Sequence, residues 1–264
     1  MVFALRWDPN QYSMYADERS RPFFELLGRV DVASPVAVVD LGCGPGALTA
    51  TLAQRWPQAR IVGVDSSADM VAAAREHAVD GRLSFECADV ADWAPDGQVD
   101  VVIANALLQW VPGHVGLLLR FASWLRPGGV VAFQVPDNFG EPSHTLLRQL
   151  RTSPRWAERL GAGADRSIGV ERPETYLRAL VDLGLSQVVW QTSYLHVLHG
   201  EDAVLEWVKG TALRPVLSAL TSEQDRAGFL ADYAALLRAA YPPQPWGTVF
   251  PFRRTFAVGV TPAG

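Results

Sequence analysis

The segment Val36-Ala-Val-Val-Asp-Leu-Gly-Cys-Gly-Pro-Gly46 decides the fold, because it joins an apolar run, an acid and a glycine-rich turn. The run Val36–Asp40 has the β-branched, almost wholly apolar character of a strand that is covered on both faces. Glycines alternate from Gly42 to Gly46, so the backbone can approach a ligand without a Cβ in the way. This spacing differs from the GxGxxG of dinucleotide folds, and Asp40 would repel a pyrophosphate. The segment therefore predicts a site for a cationic ligand without a pyrophosphate.

Further apolar runs alternate with stretches of helical period up to about residue 136, as parallel strands joined by crossover helices do. This pattern predicts an α/β fold with a parallel sheet. In the last strand candidate, Arg254 alternates with Phe252 and Phe256 on a face that we expect to be apolar. The other strand candidates are Arg60–Asp65, Leu83–Cys87, Val99–Ala104, Val130–Val135 and Gln187–Val197, and the last is Thr248–Val260.

The helical patterns divide the chain into a core and two insertions. Apolar residues spaced from Val115 to Leu125 predict a helix that ends at Arg126-Pro-Gly-Gly129. Beyond residue 137, prolines and glycines interrupt any long element, which indicates a lid. A helix is predicted over 173–183, and Thr221 with Gln224 predicts a capping box before a second helix. We expect one domain over 1–264, with a cofactor core at about 30–136 and lid insertions at about 138–172 and 200–246.

Acids follow three successive strand candidates. Asp40 ends the first, Asp65 ends the second and Asp89 follows the third. Because the carboxyl ends of parallel strands meet at the ligand-binding edge of an open α/β sheet, these acids are expected at one site. Asp65 is placed to accept from a ribose diol. Together the three acids suit an adenosine, an ammonium and a sulfonium.

Composition excludes several classes of function. The 264 residues carry a formal charge of −5, so no global positive field attracts nucleic acid or an anionic membrane. No apolar run is long enough for a membrane span or a signal-peptide core. Cys43 and Cys87 form no CxxC or Cys/His cluster, so we expect no metal. A cytoplasmic monomer without a nucleic-acid partner is expected.

The glycine-rich turn at residues 40–46, with the acids at 65 and 89, resembles the class I S-adenosylmethionine (SAM)-dependent methyltransferases. The resemblance implies a Rossmann-like, mostly parallel seven-stranded sheet with the last strand antiparallel, plus helical lid insertions. It also implies SAM as the cofactor, with Asp65 at the ribose and Asp89 at the adenine. The cofactor-binding residues that it implies are Tyr12, Arg19, Asp40, Gly42, Gly44, Gly46, Asp65, Ser66, Asp89, Val90 and Asn105.

Four further motifs resemble those of the trans-aconitate 2-methyltransferase family, in order along nearly the whole chain. The resemblance implies methyl transfer to a carboxylate oxygen of trans-aconitate, which gives a monomethyl ester. The segment 153–172 follows the family pattern poorly. The motifs are Trp7-Asp-Pro-Asn-Gln-Tyr12 with Glu18-Arg-Ser-Arg-Pro22, Asn105-Ala-Leu-Leu-Gln-Trp110, Gln134-Val-Pro-Asp-Asn138 and Leu213-Arg-Pro215.

A carboxylate nucleophile is already ionised at pH 7, so we expect no general base. Arginines should hold the two spectator carboxylates in bidentate fashion, and Arg214 and Arg254 rank ahead of Arg19 and Arg21. Gln109 and Trp110 are expected beside the transferred methyl group, where the indole would shield a sulfonium. His196 and Tyr194 share one face of a strand and could donate to substrate; a structural role for His196 stays open.

Other functions remain open at this point. Another SAM-dependent carboxyl O-methyltransferase, acting on a small molecule or a malonyl carrier protein, would use the same cofactor half. A nucleic-acid amino methyltransferase is disfavoured, because Ala106-Leu-Leu108 replaces its usual Pro-Pro-aromatic element. An NAD-dependent oxidoreductase is disfavoured by the glycine spacing and Asp40. A non-catalytic cofactor-binding protein should lack the paired arginines.

Overall fold

A computed structural model describes residues 16–160 and 169–264, with the side chains of residues 16–19 excepted. Tyr12 and the side chain of Arg19 therefore lie outside the described part. The strands are β1 Ala37–Leu41, β2 Arg60–Asp65, β3 Leu83–Cys87, β4 Val99–Asn105, β5 Leu125–Pro136, β6 Ser186–Leu198 and β7 Thr248–Val260. The α-helices of this part are Ala16–Leu27, Ala47–Arg55, Ala68–Ala74, Leu117–Ser123, Pro142–Arg151, Pro154–Leu160, Pro173–Asp182, Ala203–Lys209, Arg214–Ala219 and Glu223–Ala240.

The strands form one seven-stranded sheet in the order β3-β2-β1-β4-β5-β7-β6. The pairs β1–β2, β1–β4, β2–β3 and β4–β5 are parallel, and β7 runs antiparallel to β5. The sheet confirms the predicted Rossmann-like class, including the antiparallel last strand. The strand order reverses between β1 and β4, and open α/β sheets bind ligands beyond the carboxyl ends of the strands at such a switch point.

The central strands are buried on both faces. In β4, Val101 and Ile103 are as fully buried as Val102 and Ala104, whose side chains point to the opposite face. This is the burial expected of parallel strands covered by helices on each side, and it explains their unbroken apolar sequence. A rigid central sheet therefore supports the loops at its carboxyl edge.

The predicted end of the helix before β5 is wrong. The α-helix covers only Leu117–Ser123, and β5 begins at Leu125, five residues before the predicted start at Val130. Leu125 already pairs with Val99, and the register shifts before the next pair. The Pro-Gly-Gly segment therefore forms an irregularity inside the strand, with Gly128 at φ 75°, rather than a loop after the helix.

The starts of several helices differ from the predictions. Ser222, not Thr221, caps the helix Glu223–Ala240, since its Oγ accepts from Asp225 N at 3.3 Å. Pro142, Pro154 and Pro173 each stand at the first position of a helix, so these prolines begin elements of the region rather than only interrupting it. A proline fits there because its fixed φ suits a helix and its missing N–H has no intrahelical acceptor to lose.

The chain divides into two compact units. Of the described residues, the first comprises 16–136, Val170–Thr192 and Arg254–Gly264, and the second comprises 137–160, Gly169 and Ser193–Arg253. The second unit has its own aromatic core, which includes Trp156, Trp207, Phe229, Tyr233 and Phe250. The bounds given above for the cofactor core and the lid insertions remain predictions. Among the described helices, none is both long and apolar enough to cross a bilayer.

Candidate active site

The glycine-rich turn after β1 is tightly packed at both ends and open in the middle. Gly42, Gly44 and Gly46 have φ values of 72°, 55° and 81°, which side-chain-bearing residues rarely adopt. A Cβ on Gly42 would lie 2.9 Å from Leu107 Cβ, and one on Gly46 would lie 2.8 Å from Ala74 Cβ. At Gly44 an added Cβ meets no atom within 4 Å. A ligand can therefore approach the backbone at Gly44.

Asp65, the last residue of β2, ties the glycine-rich turn to the neighbouring strand. Its Oδ2 accepts from Gly44 N at 3.0 Å, and its Oδ1 accepts from Ser67 N at 2.9 Å. An ionised carboxylate has about four acceptor sites. Two sites therefore remain for hydroxyl donors such as a ribose diol, and the exposed Ser66 lies next in the chain.

The loop after β3 carries the third predicted acid. Asp89 is exposed, and its Oδ1 accepts from Ala91 N at 2.9 Å, whereas Val90 is buried. Arg120 holds this loop by donating to the carbonyl oxygens of Ala91 and Trp93. Arg120 was not among the predicted site residues, because nothing in its helical pattern relates it to a loop that lies earlier in the chain.

Asp40 differs from the expectation that it ends its strand and faces a ligand. The strand continues through Leu41, and Asp40 is 2% exposed. Its Oδ2 accepts from Thr49 Oγ1 at 2.6 Å. Burial raises the pKa of Asp40 to about 7; the Thr49 hydrogen bond opposes the rise, and the charge of Asp65 adds to it. Asp40 therefore braces the turn against the following helix from inside the protein.

The end of β4 is held by a buried glutamine. Asn105 Oδ1 accepts from Gln134 Nε2 at 2.7 Å, and Ala106 N donates to Gln134 O at 3.0 Å. Ala106 has φ 55°, in the left-handed region, where a non-glycine residue is strained. The side chain of Gln134 thus fixes the last residue of β4, and its main chain fixes the first residue after the strand.

Gln109 and Trp110 form a single 3₁₀ turn, Leu108–Trp110, shortly after Asn105. Gln109 is 7% exposed, and its Nε2 donates to Ala106 O at 2.6 Å. Its Oε1 has no hydrogen-bond partner among the described residues. Trp110 is half-buried. Gln109 therefore supports the strained turn at Ala106, and contacts of both side chains with a methyl donor remain predictions.

The predicted substrate residues fall in different surroundings. In the first unit, Arg254 is buried, as the alternation in β7 predicts, and its Nη1 donates to Gln134 Oε1 at 3.3 Å. In the second unit, Arg214 is half-buried at the first position of its helix. His196, also in the second unit, is buried with its ring stacked 4.8 Å from that of Trp207. Arg21 is exposed on the first helix.

Gln134 is the main residue that sequence reasoning did not assign to the site. Its signal was present, since it is a polar residue inside the apolar run of β5 and is wholly buried. In the described part of the chain, no cluster of three or more His, Cys, Asp or Glu side chains could hold a metal ion. Burial raises the pKa of the Cys43 thiol, so this cysteine is a poor nucleophile.

Residues 38–129 match a family described as "Methyltransferase domain". The chain is 50% identical over 258 residues to trans-aconitate 2-methyltransferase of Streptomyces avermitilis, with 96% of both chains covered. It is 51% identical over 254 residues to the protein of that name from Mycolicibacterium gilvum, with 96% of this chain and 98% of the relative covered.

A solved structure with a similar fold is geranyl diphosphate C-methyltransferase from Streptomyces coelicolor A3(2), in complex with Mg²⁺, geranyl diphosphate and S-adenosyl-L-homocysteine. The TM-score is 0.56 at 16% identity, over 95% of this chain and 82% of that chain. At this identity the likeness concerns the fold alone. The two curated relatives, in contrast, match this chain over nearly its whole length.

Proposed function

Because this chain belongs to the trans-aconitate 2-methyltransferase family, we propose that it transfers a methyl group from SAM to a carboxylate oxygen of trans-aconitate. The products are a monomethyl ester and S-adenosylhomocysteine. The structural observation that supports the methyl-donor site is the open approach to Gly44 beside the Asp65 carboxylate, at the switch point of the sheet, and the acid substrate is proposed from the family.

The residues at this edge fit SAM. Asp65 keeps acceptor sites for the two ribose hydroxyls, Asp89 and Val90 follow the next strand at the adenine end, and Gly44 leaves room for the methionine part. SAM, when bound, supplies an electrophilic methyl group on a sulfonium. The chain's own contribution is to hold the donor with carboxylate acceptors and backbone amides.

The nucleophile needs no activation by the protein. A substrate carboxyl with an ordinary pKa near 4 is ionised at neutral pH, so a general base would have no proton to remove. The protein has to align the oxygen with the methyl carbon and exclude the water that masks the anion. The proposed reaction therefore depends on positioning and desolvation.

Substrate recognition is proposed to use cations at a distance from the reacting oxygen. A guanidinium that neutralised the reacting carboxylate would weaken it as a nucleophile. Arg214 is proposed to hold a spectator carboxylate by a bidentate contact, and Arg254 to contribute a second cationic group. Trp110 and Gln109 are proposed to lie beside the methyl group, with Tyr12 and Arg19 at the methionine end and His196 as a substrate donor.

We further propose that the chain acts in the cytoplasm as a monomer, and its acidic net charge supports the absence of a nucleic-acid partner. The alternative function is another SAM-dependent carboxyl O-methyltransferase, acting on a different small acid or on a carrier protein. The same cofactor residues would serve either reaction, so the two differ only in the residues that bind the acid.

A substrate panel distinguishes these functions. The chain is incubated with SAM and, separately, trans-aconitate, cis-aconitate, citrate, isocitrate and a malonyl carrier protein, and the products are read by mass spectrometry. We expect trans-aconitate to gain one methyl group with equimolar S-adenosylhomocysteine. Preferred methylation of any other acid would support the alternative, and no methylation with retained SAM binding would contradict both.

A further inference from the structure

The buried carboxamide of Gln134 connects two polar residues of the first unit. Its Oε1 accepts from Arg254 Nη1 at 3.3 Å, and its Nε2 donates to Asn105 Oδ1 at 2.7 Å. The side chain is 0% exposed in a strand whose neighbours are apolar. A polar side chain in such a place is stable only when its donors and acceptors are used.

The charge of Arg254 fixes the direction of both amides. A guanidinium carries donors and no acceptor, so only the oxygen of Gln134 can face it. The NH₂ group of Gln134 must then face Asn105, and only the oxygen of Asn105 can accept from it. The NH₂ group of Asn105 is consequently directed away from Gln134.

Asn105 stands where this direction matters. It is the last residue of β4, it is partly exposed, and β4 adjoins β1 at the switch point of the sheet. Leu107, two residues later, packs against the position of Gly42 in the glycine-rich turn. Asn105 Nδ2 is therefore available at the edge that the glycine-rich turn and Asp65 also occupy.

We infer that Gln134 is a positioning residue, which makes Asn105 present a neutral donor to a carboxylate oxygen at this edge. A neutral donor orients a carboxylate without cancelling its charge. The carboxylate belongs either to the methionine part of SAM or to the acid substrate. Recognition of the substrate carboxylate rests on the proposed function, whereas recognition of the SAM carboxylate needs only that the protein binds this ligand.

The variant Gln134→Glu tests the direction of the amides, because it is nearly isosteric and still accepts from Arg254. Both oxygens of the new side chain are acceptors, so Asn105 must turn its NH₂ group inward and present its oxygen to the ligand. Binding of S-adenosylhomocysteine and of 5′-methylthioadenosine, which lacks the amino-acid part, is measured by calorimetry at pH 8. The KM for trans-aconitate is measured alongside.

We expect the ligand with the recognised carboxylate to bind roughly ten- to a hundred-fold more weakly, as for loss of a hydrogen bond to a charged group. If S-adenosylhomocysteine binds more weakly and the affinity for methylthioadenosine is unchanged, Asn105 recognises the carboxylate of the methionine part. A raised KM for trans-aconitate with unchanged affinity for both nucleosides assigns the substrate carboxylate when Asn105→Asp, which leaves the hydrogen bond between Arg254 and Gln134 in place, raises the KM as well. The inference is overturned if nothing changes, if S-adenosylhomocysteine binds more tightly, or if methylthioadenosine weakens equally.

The variant Gln134→Met separates orientation from packing. A methionine side chain fills a similar volume, but it releases the Asn105 amide instead of reversing it, and it removes one acceptor of Arg254. Ligand affinity should therefore fall in the order wild type, Met variant, Glu variant, whereas stability to urea should fall in the order wild type, Glu variant, Met variant. Identical orders in both measurements would overturn the inference in favour of a purely structural role.

If the Glu variant does not fold, Asn105→Asp also replaces the donor that faces the ligand by an acceptor, and it leaves β5 unchanged. One oxygen of the new carboxylate still accepts from Gln134, and the other meets the ligand carboxylate. The same pattern of affinities is expected, and unchanged affinity would overturn the inference. Calorimetry needs no turnover, so these results stand even if the wild-type chain fails to methylate trans-aconitate.

Discussion

Gly44 N donates to Asp65 Oδ2 across 3.0 Å, which joins the glycine-rich turn after β1 to the acid at the end of β2. The two features that sequence reasoning assigned to separate parts of one ligand therefore also hold each other. The second oxygen of Asp65 is bound by Ser67 N, so the carboxylate is fixed before a ligand arrives. Preorganisation of this kind reduces the ordering that binding requires.

Asp65→Ala should weaken SAM binding, because it removes both the ribose acceptor and the support of the Gly44 amide. We expect a loss of roughly ten- to a hundred-fold in affinity, measured by calorimetry. Asp69→Ala is the matched control, since Asp69 is an exposed acid in the helix that follows the same loop. Unchanged affinity in Asp65→Ala would remove this residue from the site.

Gly44→Ala and Gly46→Ala should differ in their effects on folding and binding. At Gly46 the new methyl would clash with Ala74 and Phe85, which should lower the unfolding free energy by roughly 1–3 kcal/mol in addition to the strain of its left-handed backbone. At Gly44 it would meet no protein atom, so only the left-handed backbone strain, about 1 kcal/mol, is expected.

The Gly44 variant should nevertheless bind SAM more weakly, because its methyl occupies the space proposed for the ligand. Urea unfolding and calorimetry measure the two effects in parallel. A Gly44 variant that stays folded and keeps full SAM affinity would show that the ligand does not approach the turn at this residue.

Arg214→Ala should raise the KM for trans-aconitate with little change in SAM affinity, because a spectator carboxylate loses its bidentate partner. Initial rates at saturating SAM give the KM. Arg178→Ala serves as the control, because Arg178 is an exposed arginine on another helix. An unaltered KM would transfer the proposed role to Arg254 or Arg19.

Asp40→Asn should change how stability depends on pH. Because burial raises the pKa of Asp40 from 3.8 to about 7, the folded protein keeps a proton that the unfolded chain releases between these values. The stability contributed by Asp40 is therefore present at low pH and lost as pH rises to about 7, by about 1.4 kcal/mol per pH unit.

The asparagine of this variant cannot ionise and can still accept from Thr49, so the variant should gain stability relative to wild type as pH rises from 4.5 to 8. Urea unfolding of the ligand-free proteins at several pH values measures this difference. His144, whose pKa burial lowers to about 4, acts in the opposite sense in both proteins and cancels in the comparison. A difference that is constant with pH would refute the assignment of a raised pKa to Asp40.

The chemical step should be nearly independent of pH between 6 and 8, because the substrate carboxylates are ionised throughout this range. Single-turnover rates at saturating SAM isolate that step from cofactor binding. A steep rise with an apparent pKa near neutrality that persists in Asp40→Asn would show that a general base participates, and His196→Asn would then test whether it is His196.

The sequence predicted the parts of the fold and the site that depend on local pattern. Buried strands have apolar runs, so β2 and β3 were predicted with their observed bounds, and Asp65 was placed at its strand end. The irregular start of β5 was missed, because Pro-Gly-Gly ends a helix as readily as it forms a bulge, and only the pairing of Leu125 with Val99 decides between them.

Contacts between distant parts of the chain could not be predicted from local pattern. Gln134 and Arg254 lie 120 positions apart, and their hydrogen bond depends on the antiparallel register of β5 and β7. The enclosure of Asp40 likewise depends on Thr49, which the following helix brings to it. Gln134 begins a quoted motif and Arg120 lies in a helical pattern, but neither signal says which residue the side chain holds, so their positioning roles emerged only from the structure.

Transfer of a labelled methyl group tests the proposed function most directly. The chain, SAM labelled in the methyl group and trans-aconitate are combined, and the isolated product is treated with mild alkali. The account predicts a labelled monomethyl aconitate that releases all its label as methanol, as an ester does. Label that resists alkali, or label found only in an acid other than trans-aconitate, would contradict the account.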